Sequence, residues 1–181
     1  MQFSETSIGG VVKISATPQQ DHRGFFIRTF CAAEFATAGL TAPTVQMALS
    51  HNAVRGTLRG LHVIPVETGE AKLVRCVRGA IFDVAVDLRR SSPTFRHWTG
   101  LELSADNMHA LYLPKGVAHG FVTLSDNADV FYQFSEAHRP GVEIGVAWDD
   151  PEIAVDWPIT PIVMSDRDRS LPRLSEIGIL S

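Results

Sequence analysis

The chain has 181 residues, 45% of them apolar and 20% charged, and its 16 Lys and Arg against 20 Asp and Glu leave a net charge of −4 near neutral pH. That length supports one domain, 1–181, with a full core, and the mildly acidic balance gives no long-range attraction for nucleic acid or anionic lipid. No apolar run reaches the roughly 18 residues of a membrane span, the opening MQFSETSIGG lacks the basic and apolar regions of a signal peptide, and Cys31 and Cys76 are too few for a disulfide framework, so a cytoplasmic protein with two reduced core thiols is expected.

In chain order, short segments rich in Val, Ile, Phe and Thr read as strands: VVKIS, FFIRTF, TVQMAL, TLRGLHV, KLVRCV, AIFDVAVDL, HWTGLEL, ALYLP, HGFVTL, DVFYQF and EIGVAWD. Turn signals such as Arg78-Gly79, Ser92-Pro93, Pro114-Lys115-Gly116 and Ser125-Asp126-Asn127 separate several of them, which predicts an all-β sandwich or barrel. One short helix is expected from Ala32 to Gly39, rich in Ala and closed by Gly. From Asp149 onward the tail holds four of the ten prolines and reads as extended chain laid over the sheet.

Residues able to carry chemistry stand out against this apolar background. Arg59 and His62 lie in a strand that otherwise reads as core, and burying them without partners would cost several kcal/mol, so they are expected to face a wet cavity. Three residues apart, they would point to opposite faces of a regular strand. Gly60 between them is a natural bulge position that brings both to one side. Lys72 opens the next strand after a polar loop containing Glu67 and Glu70, and its offset from His62 suits the facing strand of a hairpin, where a mobile ammonium neutralises a developing oxyanion. His119 follows a tight turn that aims it at the mouth of the barrel. Tyr132 shares strand parity with Val130 and Phe134, as an ordinary core tyrosine would. Asp168, in the tail, is of a type normally solvated; folded back onto a histidine Nδ1–H it would orient the ring and raise its basicity.

A metal site needs three or four convergent ligands. The seven histidines form no H-x-H and no H-x-x-x-H, and Ile64 stands where a companion to His62 would be, so no metal and no other cofactor is expected. The sequence also has no G-x-S-x-G, no P-loop and no G-x-G-x-x-G.

Assembled in order, the stretches DHRGFF, LRGLH, KLVRCVRGAIFDVAVDLRRSSPTF, LSADN, LPKGVAHGF, WDDP, DWP and SDRDRSLP, from Asp21 to Pro172, closely resemble the dTDP-4-dehydrorhamnose 3,5-epimerase family, metal-free cupins that epimerise nucleotide-linked 4-keto-6-deoxy sugars. The resemblance implies a cupin-type β-sandwich or jelly-roll barrel with a short helix and an extended C-terminal tail. PKGVAH also resembles the second cupin motif, while the metal-binding H-x-H of the first is absent. By the same resemblance His62 is the catalytic base and Asp168 its partner, Tyr132 is the proton donor on the opposite face of the sugar, and Lys72 and His119 surround the C4 carbonyl. Arg23, Gln46, Arg59, Glu143 and Arg167 match positions that bind the nucleotide diphosphate and sugar, and His138 takes the place of a tyrosine that stacks on the base. The family's dimer exchanges an N-terminal strand, so a homodimer is implied, with Arg23 serving the neighbouring subunit's pocket.

Three departures fall mostly on nucleotide contacts: Arg28 replaces a glutamate, Gln46-Met47-Ala48 replaces Q-D-N, and His138 replaces the stacking tyrosine. A nucleotide preference different from that of thymidine-specific relatives is therefore expected, with Ile64, in place of a glutamine, a further change. The reaction implied is cofactor-free epimerisation at C3 and C5 through an enolate. The alternatives are epimerisation at C3 or C5 alone, 3,4-ketoisomerisation, a substrate carried on another nucleotide such as CDP, and a cupin that binds a nucleotide sugar without catalysis.

Overall fold

The computed structural model describes residues 1–67 and 69–177. Its elements run β1 (Gln2–Glu5), β2 (Val12–Ser15), β3 (Gln19–Asp21), β4 (Gly24–Phe26), α1 (Ala32–Thr37), β5 (Gln46–Asn52), β6 (Leu58–Val63), β7 (Lys72–Arg78), β8 (Ala80–Asp87), β9 (Trp98–Ser104), β10 (Ala110–Leu113), β11 (Val117–Thr123), β12 (Ala128–Phe134), β13 (Ile144–Gly145) and α2 (Asp166–Arg169), then a single 3₁₀ turn at Leu174–Glu176. Two sheets hold most of the strands, one of six in the order β1-β2-β10-β7-β12-β5 and one of five in the order β13-β6-β11-β8-β9, with β3 and β4 as a separate hairpin. This is the expected all-β, cupin-type sandwich.

Strands such as β8, β10 and β11 are buried along nearly their whole length because both of their faces are covered. Between the sheets, Val74, Cys76, Leu111 and Val130 of one meet Ile81, Ala85, Leu103 and Phe121 of the other. Outside the five-stranded sheet, Ile153, Val155 and Trp157 of the tail pack on Leu61, Val84, Val86 and Ala118. On the outer side of the other sheet, Phe35 of α1 is fully buried among Ile14, Leu73 and Tyr112, with Phe3 and Phe30 at its ring edges. The tail thus lies over the sheet as its composition predicts, but it is not all extended: Ser165 caps α2 by accepting the Asp168 backbone N–H at 3.1 Å.

Local expectations need correction in four places. FFIRTF is strand only to Phe26 and EIGVAWD only at Ile144–Gly145. Beyond β13, Val146 still exchanges two backbone hydrogen bonds with Leu61, at 3.0 and 3.3 Å, but no regular strand continues. Cys31 is not a core thiol but the half-buried residue preceding α1, whereas Cys76 is buried and its thiol pushed up to about 11 by that burial. Lys72 is not on a hairpin with His62, because β6 and β7 belong to opposite sheets. The residues between them cross from one layer to the other.

Candidate active site

The bulge expected at Gly60 is present. Arg59 pairs with Phe121 and His62 with His119, so three steps along β6 match two along β11. Gly60 has φ +116°, and a Cβ there would lie 2.6 Å from the Gly120 Cα and 2.7 Å from the His119 carbonyl oxygen. Gly60→Ala therefore combines backbone strain with a clash against backbone and is expected to destabilise the protein by about 2–4 kcal/mol. Urea unfolding checks this, and a change below about 0.5 kcal/mol would show that the strand absorbs the methyl.

The bulge turns Arg59 and His62 to the same side, into a cavity of about 300 Å³ between the sheets. Its walls also carry Gln46, Lys72, His119, Tyr132, His138 and Glu143, so eight sequence-predicted residues converge on one space. Asp168 reaches it from behind. α2 packs against β6, and the buried Asp168 carboxylate lies 2.6 Å from His62 Nε2. Sequence reasoning placed this contact on Nδ1; the ring is held the other way round, and Nδ1 instead lies 3.9 Å from Glu143 Oε1. Burial alone would push the Asp168 carboxyl up, but the hydrogen bond and charge of His62, together with Ser165 and the Gly60 backbone N–H, hold it below the usual carboxylate range. An ionised Asp168 that accepts Nε2–H leaves the lone pair of the imidazole on Nδ1. Next to Asp168 on α2, Arg167 does not line the cavity; its Nη2 donates to Glu143 Oε1 at 2.6 Å.

His119 is not at the mouth but inside, 7% exposed, with Nε2 2.7 Å from Oδ1 of Asp83 on β8. No motif in the sequence singles out Asp83. It is fully buried, its Oδ2 has no hydrogen-bond partner among the described residues, and burial pushes its carboxyl up against the pull of His119. The signal was available: in AIFDVAVDL an acid occupies a position sharing its face with Ile81 and Ala85, where only a paired charge is tolerated.

Tyr132 meets the edge of the His119 ring at a centroid distance of 6.0 Å and stacks on Phe134 at 5.9 Å with planes 9° apart. Burial, and then the Asp83 charge, raise its pKa well above that of an ordinary phenol. The hydroxyl keeps its proton until a strongly basic centre forms beside it.

Arg23, like Arg167, is a predicted residue that does not line the cavity. It sits at the exposed tip of the β3–β4 hairpin, paired with Asp21 at 2.6 Å. Arg28, one of the three departures, is likewise outside the cavity lining and pairs with Glu34 of α1 at 3.3 Å. Ala48 and His138 do line it, and the His138 backbone N–H donates to the Gln46 side chain at 2.9 Å. Among the described residues no cluster of His, Cys, Asp and Glu is arranged to hold a metal ion, and no helix is long and apolar enough to cross a membrane.

The family model described as dTDP-4-dehydrorhamnose 3,5-epimerase matches residues 5–176. The chain belongs to this family. A dTDP-4-dehydrorhamnose 3,5-epimerase from Methanothermobacter thermautotrophicus is 43% identical over 178 residues, covering 97% of this chain and 95% of that protein. A dTDP-4-dehydrorhamnose 3-epimerase from Streptomyces niveus is 41% identical over 177 residues, covering 97% of this chain and 85% of its own length. Identity alone thus does not separate one-centre from two-centre epimerases. Among solved structures, the epimerase from Bacillus anthracis with TDP and pyrophosphate bound superposes with a TM-score of 0.92 at 41% identity, over 96% of this chain and 99% of that one. The family's members so named are isomerases.

Proposed function

We propose that the protein epimerises a dTDP-linked 4-keto-6-deoxy hexose at C3 and C5 without a cofactor. One observation supports this above the rest: His62 stands on the five-stranded sheet and Tyr132 on the six-stranded sheet, on opposite walls of one cavity. A flat sugar ring between them meets a base on one face and an acid on the other, which inversion requires.

The C4 ketone acidifies the hydrogens at C3 and C5. His62 Nδ1 takes the proton, the C–H pair delocalises onto the C4 oxygen, and the Lys72 ammonium and His119 stabilise the resulting enolate. Tyr132 O–H then gives a proton to the other face of the carbon, the carbonyl re-forms, and both side chains return to their starting states by exchange with solvent. The raised pKa of Tyr132 makes it an acid that yields only to a carbanion-like centre. Arg59 and the Glu143–Arg167 pair at the cavity's edge suit the diphosphate and sugar hydroxyls.

The assembly that fits this reading is a cytoplasmic homodimer. Phe25 and Phe26 on the β3–β4 hairpin and Met47 and Leu49 on the edge strand β5 are between 52% and 71% exposed, apolar surface that a second copy would cover. That hairpin also carries Arg23, free to reach a neighbouring cavity once the pair with Asp21 opens.

Incubation with the dTDP-linked 4-keto sugar in deuterated water tests the reaction. Label at both C3 and C5 supports it; label at one centre gives the mono-epimerase, a C3 ketone gives the ketoisomerase, and no exchange leaves a binding protein. The departures bear on the nucleotide end. Since His138 is a smaller stacking face than tyrosine, His138→Tyr is expected to tighten dTDP by roughly three- to tenfold in a calorimetric titration. Unchanged affinity would place the residue outside the base contact.

A further inference from the structure

Glu70 lines the same cavity as His62 and Tyr132. Its Oε1 lies 3.4 Å from Lys72 Nζ, and the two side chains are 9% and 12% exposed. An ammonium on a four-carbon stem is ordinarily mobile, and its rotamer freedom is lost only where something holds it.

The backbone holds the two residues together. Between them, Ala71 is 2% exposed and locked to Ser135 by two reciprocal hydrogen bonds: its N–H donates to Ser135 Oγ at 2.8 Å, and its carbonyl accepts the Ser135 N–H at 3.0 Å. Gly69 is equally confined, for a Cβ there would meet the Pro65 carbonyl oxygen at 2.8 Å. On either side of the fixed Ala71, Glu70 and Lys72 both face the cavity. On the adjacent strand Lys72 is paired with Phe134, and Nζ stands 5.8 Å from the centre of that ring, which in turn stacks on Tyr132. Carboxylate, ammonium, Phe134 and the proposed proton donor form one continuous line along the wall.

We propose that Glu70 is a positioning residue for the epimerisation: its carboxylate fixes the Lys72 ammonium over Phe134, beside Tyr132, where it meets the C4 oxygen as the enolate forms. This rests on the reaction argued above. A tether of this kind acts in the transition state rather than on substrate binding, because the charge it places gains its partner only when the C–H bond breaks. The requirement is for an acceptor oxygen at that point, which a glutamine also supplies.

Solvent-deuterium exchange and inversion are measured on the dTDP-linked 4-keto-6-deoxy hexose for the native protein, Glu70→Ala, Glu70→Gln, Lys72→Ala and the double variant Glu70→Ala with Lys72→Ala. Glu70→Ala is expected to lower kcat roughly tenfold with KM within about threefold of native, and Glu70→Gln to stay within about threefold of native kcat. In the Lys72→Ala background, Glu70→Ala is expected to cost nothing further, since a tether without its ammonium has nothing to place. Retained kcat in Glu70→Ala, a Glu70→Gln as defective as alanine, or losses that multiply in the double variant would overturn the proposal. A native protein that exchanges no label would instead overturn the reaction on which it rests.

Discussion

Replacing His62 with alanine is expected to lower solvent-isotope exchange at the sugar carbons by about 10²- to 10⁴-fold, the usual contribution of a positioned general base. Its ring is 22% exposed in the cavity and is not among the apolar clusters that hold the sheets together, so the sandwich remains folded. Asp168, left without the imidazole, still accepts the Gly60 backbone N–H, which limits the penalty for its burial. Exchange followed by NMR, with circular dichroism to confirm the fold, reads out the effect. Near-native exchange in the variant would remove His62 from the role of base.

Tyr132→Phe separates the two halves of the reaction. The aromatic ring remains to stack on Phe134 and to meet His119, while the only atom lost is the hydroxyl that delivers the proton. Proton abstraction by His62 from the opposite wall is expected to continue, so the variant incorporates deuterium into recovered substrate at a rate within roughly tenfold of native, while inversion falls by about 10²-fold or more. Inversion at the native rate would show that water or another residue supplies the proton.

The sequence carried the architecture well where periodicity and punctuation agree. DVFYQF and AIFDVAVDL became β12 and β8 within a residue of their expected ends. It also carried the bulge, because a glycine set between a cation and an imidazole in an apolar strand is where an extra residue fits at least cost, and the register of β6 on β11 bears that reading out. What it could not carry was partnership across layers. Lys72 follows His62 closely enough to suggest a hairpin, yet the chain changes sheets between them, a decision made by packing and not by local preference. Within one sheet the difficulty is distance along the chain: Asp83 is legible as an acid on an apolar face, but its partner His119, on the neighbouring strand, lies 36 positions away. Asp168 was recognisable through resemblance but not through its own surroundings in the sequence. Its burial depends on the Ser165 cap and on the fit of α2 against β6.

The bond between His62 and Asp168 joins positions 106 residues apart. During synthesis the chain emerges from its N-terminus at about 5–20 residues per second, so the strands that build both walls of the cavity are complete well before the segment bearing Asp168 leaves the ribosome. Until it does, the His62 ring lacks the carboxylate that orients it. Among the described residues, the segment beyond Gly145 adds nothing to the cluster between the sheets, yet it covers the outer face of the five-stranded sheet and brings the carboxylate that orients the His62 ring.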